Sequence, residues 1–464
     1  MTALVELAEA AGVVTRWSDY KGDWHDVSED SLRAVLGALG LPSGSEAEIK
    51  QSRDHLAHLE SGLPPLVTAT AGERLTLAVP PGPFVLTLED GSRRSGRSEP
   101  GEDGAVLPGI EQPGYHLLET GDQRTTLAVA PRRGHAVAAG TRPWALAVQL
   151  YGLRRRGDAG LGDFEALREL VGPAARHGAS GIAISPVHAQ FSADPDRYSP
   201  YAPSSRINLN VLHAAHAWPQ TAETAQLECQ ELADWPTASR IRFAALRAAF
   251  DRMTQAERDE LARFRAERGD ALETHARFEA LHAAQFACGR WHWREWPGEL
   301  RDPRNPAVAA FAETDAENVA FHAYMQWRAD RSLAAAQDAA KAAGMPIGLI
   351  ADLAVGADSG GSHCWARQDE TLIGLSIGAP PDLLSTKGQS WGLAAFSPRG
   401  LRQNGFGAFL EMLRAAMRHA GGVRIDHALG LRRLWVVPDG LEAKDGAYLS
   451  MPQVDLLRLI ALES

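Results

Sequence analysis

Gly422-Val423-Arg424-Ile425-Asp426-His427 is the stretch on which the reading of this chain turns. Val423 and Ile425 alternate with Arg424 and Asp426. Side chains two apart on a strand share a face, so a guanidinium lies beside a carboxylate, opposite the apolar pair. A fixed positive charge nearby favours the ionised form of an acid. An ionised carboxylate at a strand end serves either as a nucleophile or as half of a structural ion pair. The hexapeptide alone leaves both open.

Upstream, three more segments read as strands: Trp144 to Tyr151, Gly181 to Ser185 and Ile347 to Val355. Asp163 begins a helix with Leu167, Leu170, Val171 and Ala174 on one face, and Phe406, Leu410, Leu413 and Met417 mark another before the fourth strand. Strands alternating with helices predict a parallel sheet. A stretch from about 236 to 343, rich in Ala, Leu, Arg and Glu, reads as a helical insertion between the second and third strands. Residues 144–464 are therefore expected to form one α/β region. Pro131 to Pro143 reads as a linker, bounded at 133–143.

Ahead of the linker, residues 1–62 read as a small helical unit. Ser28 caps a helix whose first turn holds Glu29 and Asp30, Leu32, Val35, Leu36 and Leu39 form its stripe, and Gly40 with Pro42 ends it. Residues 63–132 change to short strands: Phe84 to Glu89 runs into Asp90-Gly91, and Tyr115 to Glu119 into Gly121-Asp122. Both are hairpin signals, and the expectation is a β-sandwich.

Composition narrows the partners. A net charge of −11 disfavours nucleic acid and anionic membrane surfaces. No apolar run approaches the ~20 residues a bilayer requires, and Met1 to Val14 lacks the basic start of a secretory signal. Cys229, Cys288 and Cys364 are too few and too scattered for a disulfide framework or a zinc site, which favours a reducing, cytoplasmic setting. No metal-binding, P-loop or dinucleotide motif is present, so no metal or cofactor is expected. Gly374-Leu375-Ser376-Ile377-Gly378 has the spacing of a nucleophile elbow, but Pro380-Pro381 blocks the helix that an elbow must enter.

Two further blocks carry the functional signal. They are Ser199-Pro200-Tyr201-Ala202-Pro203-Ser204-Ser205-Arg206, and Gly378-Ala379-Pro380-Pro381-Asp382 with Gly388-Gln389-Ser390-Trp391-Gly392. With the Arg424-to-His427 tetrapeptide they resemble the 4-α-glucanotransferases, the amylomaltases of glycoside hydrolase family 77. The resemblance runs over essentially the whole chain. It implies a (β/α)8 barrel, of which four strands are recognisable, and transfer of an α-1,4-glucan segment between maltooligosaccharides by retaining double displacement. It further implies that Asp426 is the nucleophile and Arg424 its orienting neighbour. Tyr201, Asp352 and His427 are then donor-sugar contacts, Ser199 is a further substrate-binding residue, and Asp382, Gln389 and Trp391 line the acceptor side from the 378–392 loop. Asn210-Val211 and Leu393-Ala394-Ala395-Phe396 depart from the family pattern, which bears on loop rigidity and acceptor preference.

The resemblance also implies a general acid/base glutamate on a strand beyond Ser464. Glu442, Asp445, Asp455 and Glu463 fall in the loop and helix expected after Asp426, so the acid/base is expected to be absent from these residues. The reading from sequence is a partial barrel that binds maltooligosaccharide. A non-catalytic glucan-binding fragment and an α-glucan hydrolase of the same clan are its alternatives.

Overall fold

The computed structural model describes residues 2–59, 62–137 and 140–464. Positions 1, 60 and 61 of the expected helical unit, and 138 and 139 of the expected linker, lie outside the described residues. The chain forms two compact units, and neither is one continuous stretch. One holds residues 140–368 and 414–426; the other holds 1–139, 369–413 and 427–464.

The first unit is built on a parallel sheet in sequence order: β1 (Ala145–Val148), β2 (Gly181–Ile184), β3 (Gly348–Leu353) and β4 (Gly422–Ile425). The register pairs Leu146 with Ile182, Ile182 with Leu349, and Asp352 with Arg424. All four strands coincide with the apolar runs seen in the sequence. Ile182 and Leu349 are completely buried, and packing on one face comes from α1 (Phe164–Arg176) and the helix Ala316–Ala342. Leu167, Val171, Ala174, Leu333 and Ala336 form that layer. Truncating a side chain such as Leu349 to Ala would cost about 2–5 kcal/mol.

Asp163 starts α1 as its N-cap, accepting from Ala166 N at 2.9 Å. The same carboxylate also receives Arg155 and Trp218 Nε1, so its burial is fully compensated. Between β2 and β3 lie the helices Trp235–Asp251, Gln255–Phe286, Pro306–Thr314 and Ala316–Ala342, within the stretch read as an insertion. Gln255–Phe286 is broken at Gly269, which takes φ +56°, a conformation that only glycine adopts freely.

In the second unit, Ser28 caps Glu29–Ala38 and Gly40 at φ +73° ends the turn, as the sequence indicates. Both anticipated hairpins form: Pro83–Thr87 with Arg93–Arg97, and Gly114–Thr120 with Gln123–Ala130. They belong to a sheet with Leu66–Thr70 at its edge, beside a smaller sheet of Leu75–Leu77, Gly104–Leu107 and Glu99–Gly101.

Three segments differ from expectation. The N-terminal helical unit also contains a hairpin, Arg16–Ser18 with Trp24–Asp26. The 378–392 segment is not a loop throughout. Leu375–Ala379 and Gln389–Ala394 pair as antiparallel strands, so Gln389 and Trp391 stand on a strand. Residues 427–464 are more than a loop and a helix, because Arg433–Pro438 and Ala447–Ser450 are paired strands. Leu434 to Val437 are all buried, and a short uniformly apolar run carries no alternation to announce a strand. Ser376 lies within Leu375–Ala379, where its hydroxyl donates to the Ile377 carbonyl and accepts from Gly392 N. It stands on a sheet strand and not on an exposed elbow.

Candidate active site

The strand ends β3 and β4 bring three charged side chains together. In a parallel pair, register partners point to the same face, so Asp352 and Arg424 are neighbours, and Asp426 follows two residues on. Arg424 forks between the two carboxylates: Nη1 donates to Asp352 Oδ1 at 2.6 Å and Nη2 to Asp426 Oδ1 at 2.8 Å. Asp426 is anchored by its own amide, which donates to the Leu353 carbonyl at 3.1 Å. The Asp352 side chain is 8% exposed, Asp426 27% and Arg424 53%. The cluster thus opens to solvent on the guanidinium side.

The electrostatics follow from this gradient. Burial pushes the Asp352 carboxyl above its usual range against the pull of Arg424, and the charge of Asp426 adds to the rise. The Arg424 guanidinium is held more firmly protonated, through its hydrogen bond to Asp352 first. Tyr201 belongs to the same neighbourhood. Partial burial, and then the charge of Asp352, raise its phenol above the ordinary value. Tyr201 is 41% exposed, and the turn that carries it is closed by Ala202 N donating to the Ser199 carbonyl, which also accepts from Gln190 Nε2.

Other predicted residues meet in the second unit. Trp391 and His427 pack edge to face, 5.5 Å between ring centroids, and Trp391 Nε1 donates to Gln389 Oε1 at 2.9 Å. His427 takes φ +49°, a left-handed backbone that turns the chain directly after Asp426. Asp382 Oδ1 accepts from Leu384 N and Ser385 N, so one of its oxygens closes its own turn.

Two residues behind Asp352 were not among the expected site residues. His188 Nε2 accepts from Ala354 N at 3.2 Å, and Arg206 Nη1 donates to the carbonyls of Ala354 and Val355. Together they fix the backbone just beyond Asp352. Burial lowers the His188 imidazole to about 3 and the Arg206 guanidinium to about 10. The neutral imidazole is the form able to accept from an amide. Arg206 closes the Ser199-to-Arg206 block, which was the available signal; nothing in the sequence marks His188.

Residues 148–464 match the family model described as 4-alpha-glucanotransferase, glycoside hydrolase family 77. The 4-alpha-glucanotransferase of Mycobacterium tuberculosis is 36% identical over 516 aligned residues, spanning all of this chain and 70% of that protein. The chain belongs to the 4-alpha-glucanotransferase family. The 4-alpha-glucanotransferase of Haemophilus influenzae is 31% identical over 76% of this chain and 55% of its own length. The amylomaltase of Corynebacterium glutamicum shares the mixed α/β fold with a TM-score of 0.81 at 27% identity, covering 99% of this chain and 70% of that one. The Streptococcus agalactiae amylomaltase, solved with acarbose, shows the same fold with a TM-score of 0.59 at 19% identity over 70% of this chain and 67% of its own. Within this family, the Arg424 cluster lies inside the matched residues.

Proposed function

We propose that Asp426 is the nucleophile of a retaining 4-α-glucanotransferase acting on maltooligosaccharides. The observation that carries this reading is the Arg424 fork, which holds the Asp426 carboxyl group at the C-terminal end of a parallel strand. An Asp426 oxygen attacks the anomeric carbon, the glycosidic bond breaks, and a glycosyl ester forms. The 4-hydroxyl of a second glucan then takes the glycosyl group and releases the carboxylate.

Arg424 holds both carboxylates and disperses charge between them. Asp352 accepts from donor-sugar hydroxyls, Tyr201 offers a ring face beneath the sugar, and Ser199 supports the turn that presents Tyr201. His427 contacts the donor, while Asp382, Gln389 and Trp391 contact the acceptor, with the indole covering a glucose ring.

Departure of the sugar leaving group requires a second carboxyl ~5–5.5 Å from the nucleophile. Asp352 Oδ1 is engaged by Arg424, and Asp352 is assigned to the donor sugar instead of to that part. We place the acid on a strand beside β4. β4 is an edge of its sheet among the described residues, and Val423 and Ile425 on it are only half-buried. β1, the other edge, leaves Leu146 37% exposed. Apolar residues at two open edges fit a sheet that is continued by further strands. This supports the finer reading of β1 to β4 as half of a (β/α)8 barrel, with residues 144–464 as the catalytic region, while the two sheets within 66–130 support the reading of 63–132 as a β-sandwich. A reducing, cytoplasmic setting suits Cys229, Cys288 and Cys364, none of which is in a disulfide.

The decisive experiment uses α-maltotriosyl fluoride, whose fluoride leaves without protonation and so bypasses the acid. The protein should form a maltotriosyl ester on Asp426, detected by mass spectrometry of the peptide, and should pass the sugar to maltose. An ester on another residue, or none with a correctly folded protein, refutes the assignment. Maltotriose itself, converted to glucose and maltopentaose, reports the complete reaction; glucose without longer products would favour hydrolysis.

A further inference from the structure

A cavity of about 390 Å³ opens in the second unit; none of the residues assigned a role above lines it, although Pro381 in its wall adjoins Asp382. Its walls come from the Arg16–Ser18/Trp24–Asp26 hairpin, from Pro381 and Thr386, and from Lys444 to Gly446. The walls are braced. Trp17 packs between His25, stacked at 4.7 Å, and Trp435, edge-on at 5.0 Å. Asp19 ties the hairpin turn by accepting from Lys21 N, Asp23 N and His25 Nε2. Opposite, Trp435 Nε1 donates to the Ala443 carbonyl and Ser31 Oγ to the Asp445 carbonyl. Ligand sites are typically preformed concavities of roughly 300–1,000 Å³, and this one has both properties.

The lining chemistry selects the ligand. Asp19, Asp26 and Asp445 line it with one lysine, Lys444; Asp26 pairs with Arg16 and Lys444 with Glu442. A phosphate or an acidic peptide would meet net negative charge. A metal ion is unsupported, since among the described residues no group of three or more His, Cys, Asp or Glu has the geometry to hold one. A lipid chain would strand the carboxylates. A neutral polyhydroxylated ring satisfies all of them: its hydroxyls donate to carboxylates in charge-assisted hydrogen bonds, and its C–H face lies on the His25–Trp17 stack.

We propose that this cavity is a second, non-catalytic glucan site that holds one or two glucose units of a long α-1,4-glucan. The proposal rests on the glucan reading of the preceding subsection. Holding a distant part of a long chain raises the effective concentration of its remainder at the reacting centre. Long glucans therefore gain affinity that maltotriose does not.

The test is calorimetric titration of maltoheptaose into the full chain carrying Asp426→Asn, which prevents turnover. Two classes of site are expected. Adding His25→Ala and Asp445→Ala should weaken one class at least about tenfold, close to 1.4 kcal/mol, and leave the other unchanged. Asp26→Ala with Thr386→Ala, which alters only exposed positions, guards against misfolding and should weaken the same class about threefold or more. Two unaltered classes in both variants, or a single class untouched by either, overturn the proposal. Transfer from α-maltotriosyl fluoride to maltose by the wild-type chain separates the two readings. If transfer persists while the variants bind like wild type, the second site alone fails. If transfer fails while one class is lost as expected, the sugar cavity stands and the catalytic reading fails.

Discussion

Replacing Arg424 by Met keeps the length and much of the stem of the side chain while removing its charge, and the structure sets the size of the effect. Two hydrogen bonds are lost, one of 2.6 Å to Asp352 and one of 2.8 Å to Asp426. A hydrogen bond to a charged group contributes about 1.5–3 kcal/mol. The guanidinium is 53% exposed, so solvent screening takes the bond to the more accessible Asp426 to the lower end of that range or below. If the Asp426 bond orients the attacking oxygen, ester formation from α-maltotriosyl fluoride should slow by about 10–10²-fold, equivalent to ~1.4–2.8 kcal/mol.

The Asp352 bond appears in stability instead. The Asp352 carboxyl already sits above its usual range because of burial, and loss of the guanidinium must raise it further. An acid whose folded-state pKa is raised stabilises the fold below its unfolded pKa, near ~3.9. That contribution is lost as pH rises through the folded value. The R424M penalty should therefore be about 1–3 kcal/mol near pH 7 and shrink towards zero near pH ~4. Urea unfolding at the two pH values measures it, beside the rate of ester formation. A rate within about threefold of wild type, together with a penalty independent of pH, would refute the fork as both an orienting and a charge-compensating device.

Asp426→Asn should form no maltotriosyl ester while its unfolding midpoint moves little, because the amide is nearly isosteric and the site is part-solvated; an ester on the same peptide would show that another group attacks. Gly421→Ala should destabilise the first unit by about 1–3 kcal/mol, since the added Cβ would stand 1.9 Å from the Ile347 carbonyl oxygen. It should also slow ester formation by shifting β4 against β3, and an unchanged rate would dissociate strand register from activity. Burial holds His188, His275 and His322 at about 3 and His213 and His282 at about 4. These depressed values stabilise the fold above pH ~6.5 and lose that contribution as pH falls towards ~3–4. By pH ~5 each imidazole withdraws up to about 2 kcal/mol, against the carboxyls that burial raises: Glu279, to about 7, and Asp352 and Asp358, above their usual range. Urea midpoints should fall steeply between pH ~6.5 and ~4.5; a flat profile would mean that these imidazoles are solvated.

The residues that announced the site were those whose neighbours are set by local periodicity. Arg424 and Asp426 sit two apart on one strand, so their proximity needed no tertiary information. Asp352 was recognisable as a strand residue, but its bond to Arg424 depends on a pairing across 72 positions of sequence. His188 was invisible for a similar reason: its function is to accept from Ala354 N, and a lone buried histidine has no sequence signature. The strands Arg433–Pro438 and Ala447–Ser450 escaped notice because Leu434 to Val437 are buried without alternation. Their partners, Leu375–Ala379 and Val13–Val14, lie far away in the chain. The hairpins at Asp90-Gly91 and Gly121-Asp122 were legible because the turn chemistry and both strands are contiguous.

Register is where fold and chemistry meet in this chain. Strand side chains alternate with a period of two, so a slip of one residue between β3 and β4 would turn Arg424 away from Asp352 and send Val423 and Ile425 towards it. The apolar pair would then share a face with a buried carboxylate, and the guanidinium would lose one of its two acceptors. The amide of Asp426 on the Leu353 carbonyl and the tight approach of Gly421 to the Ile347 carbonyl stand at opposite ends of β4. Each is a main-chain contact that a one-residue slip would break. The side-chain fork and the two backbone anchors therefore specify the same alignment independently. For that reason a substitution at Gly421, which bears no functional group, is expected to disturb Asp426 through the backbone alone.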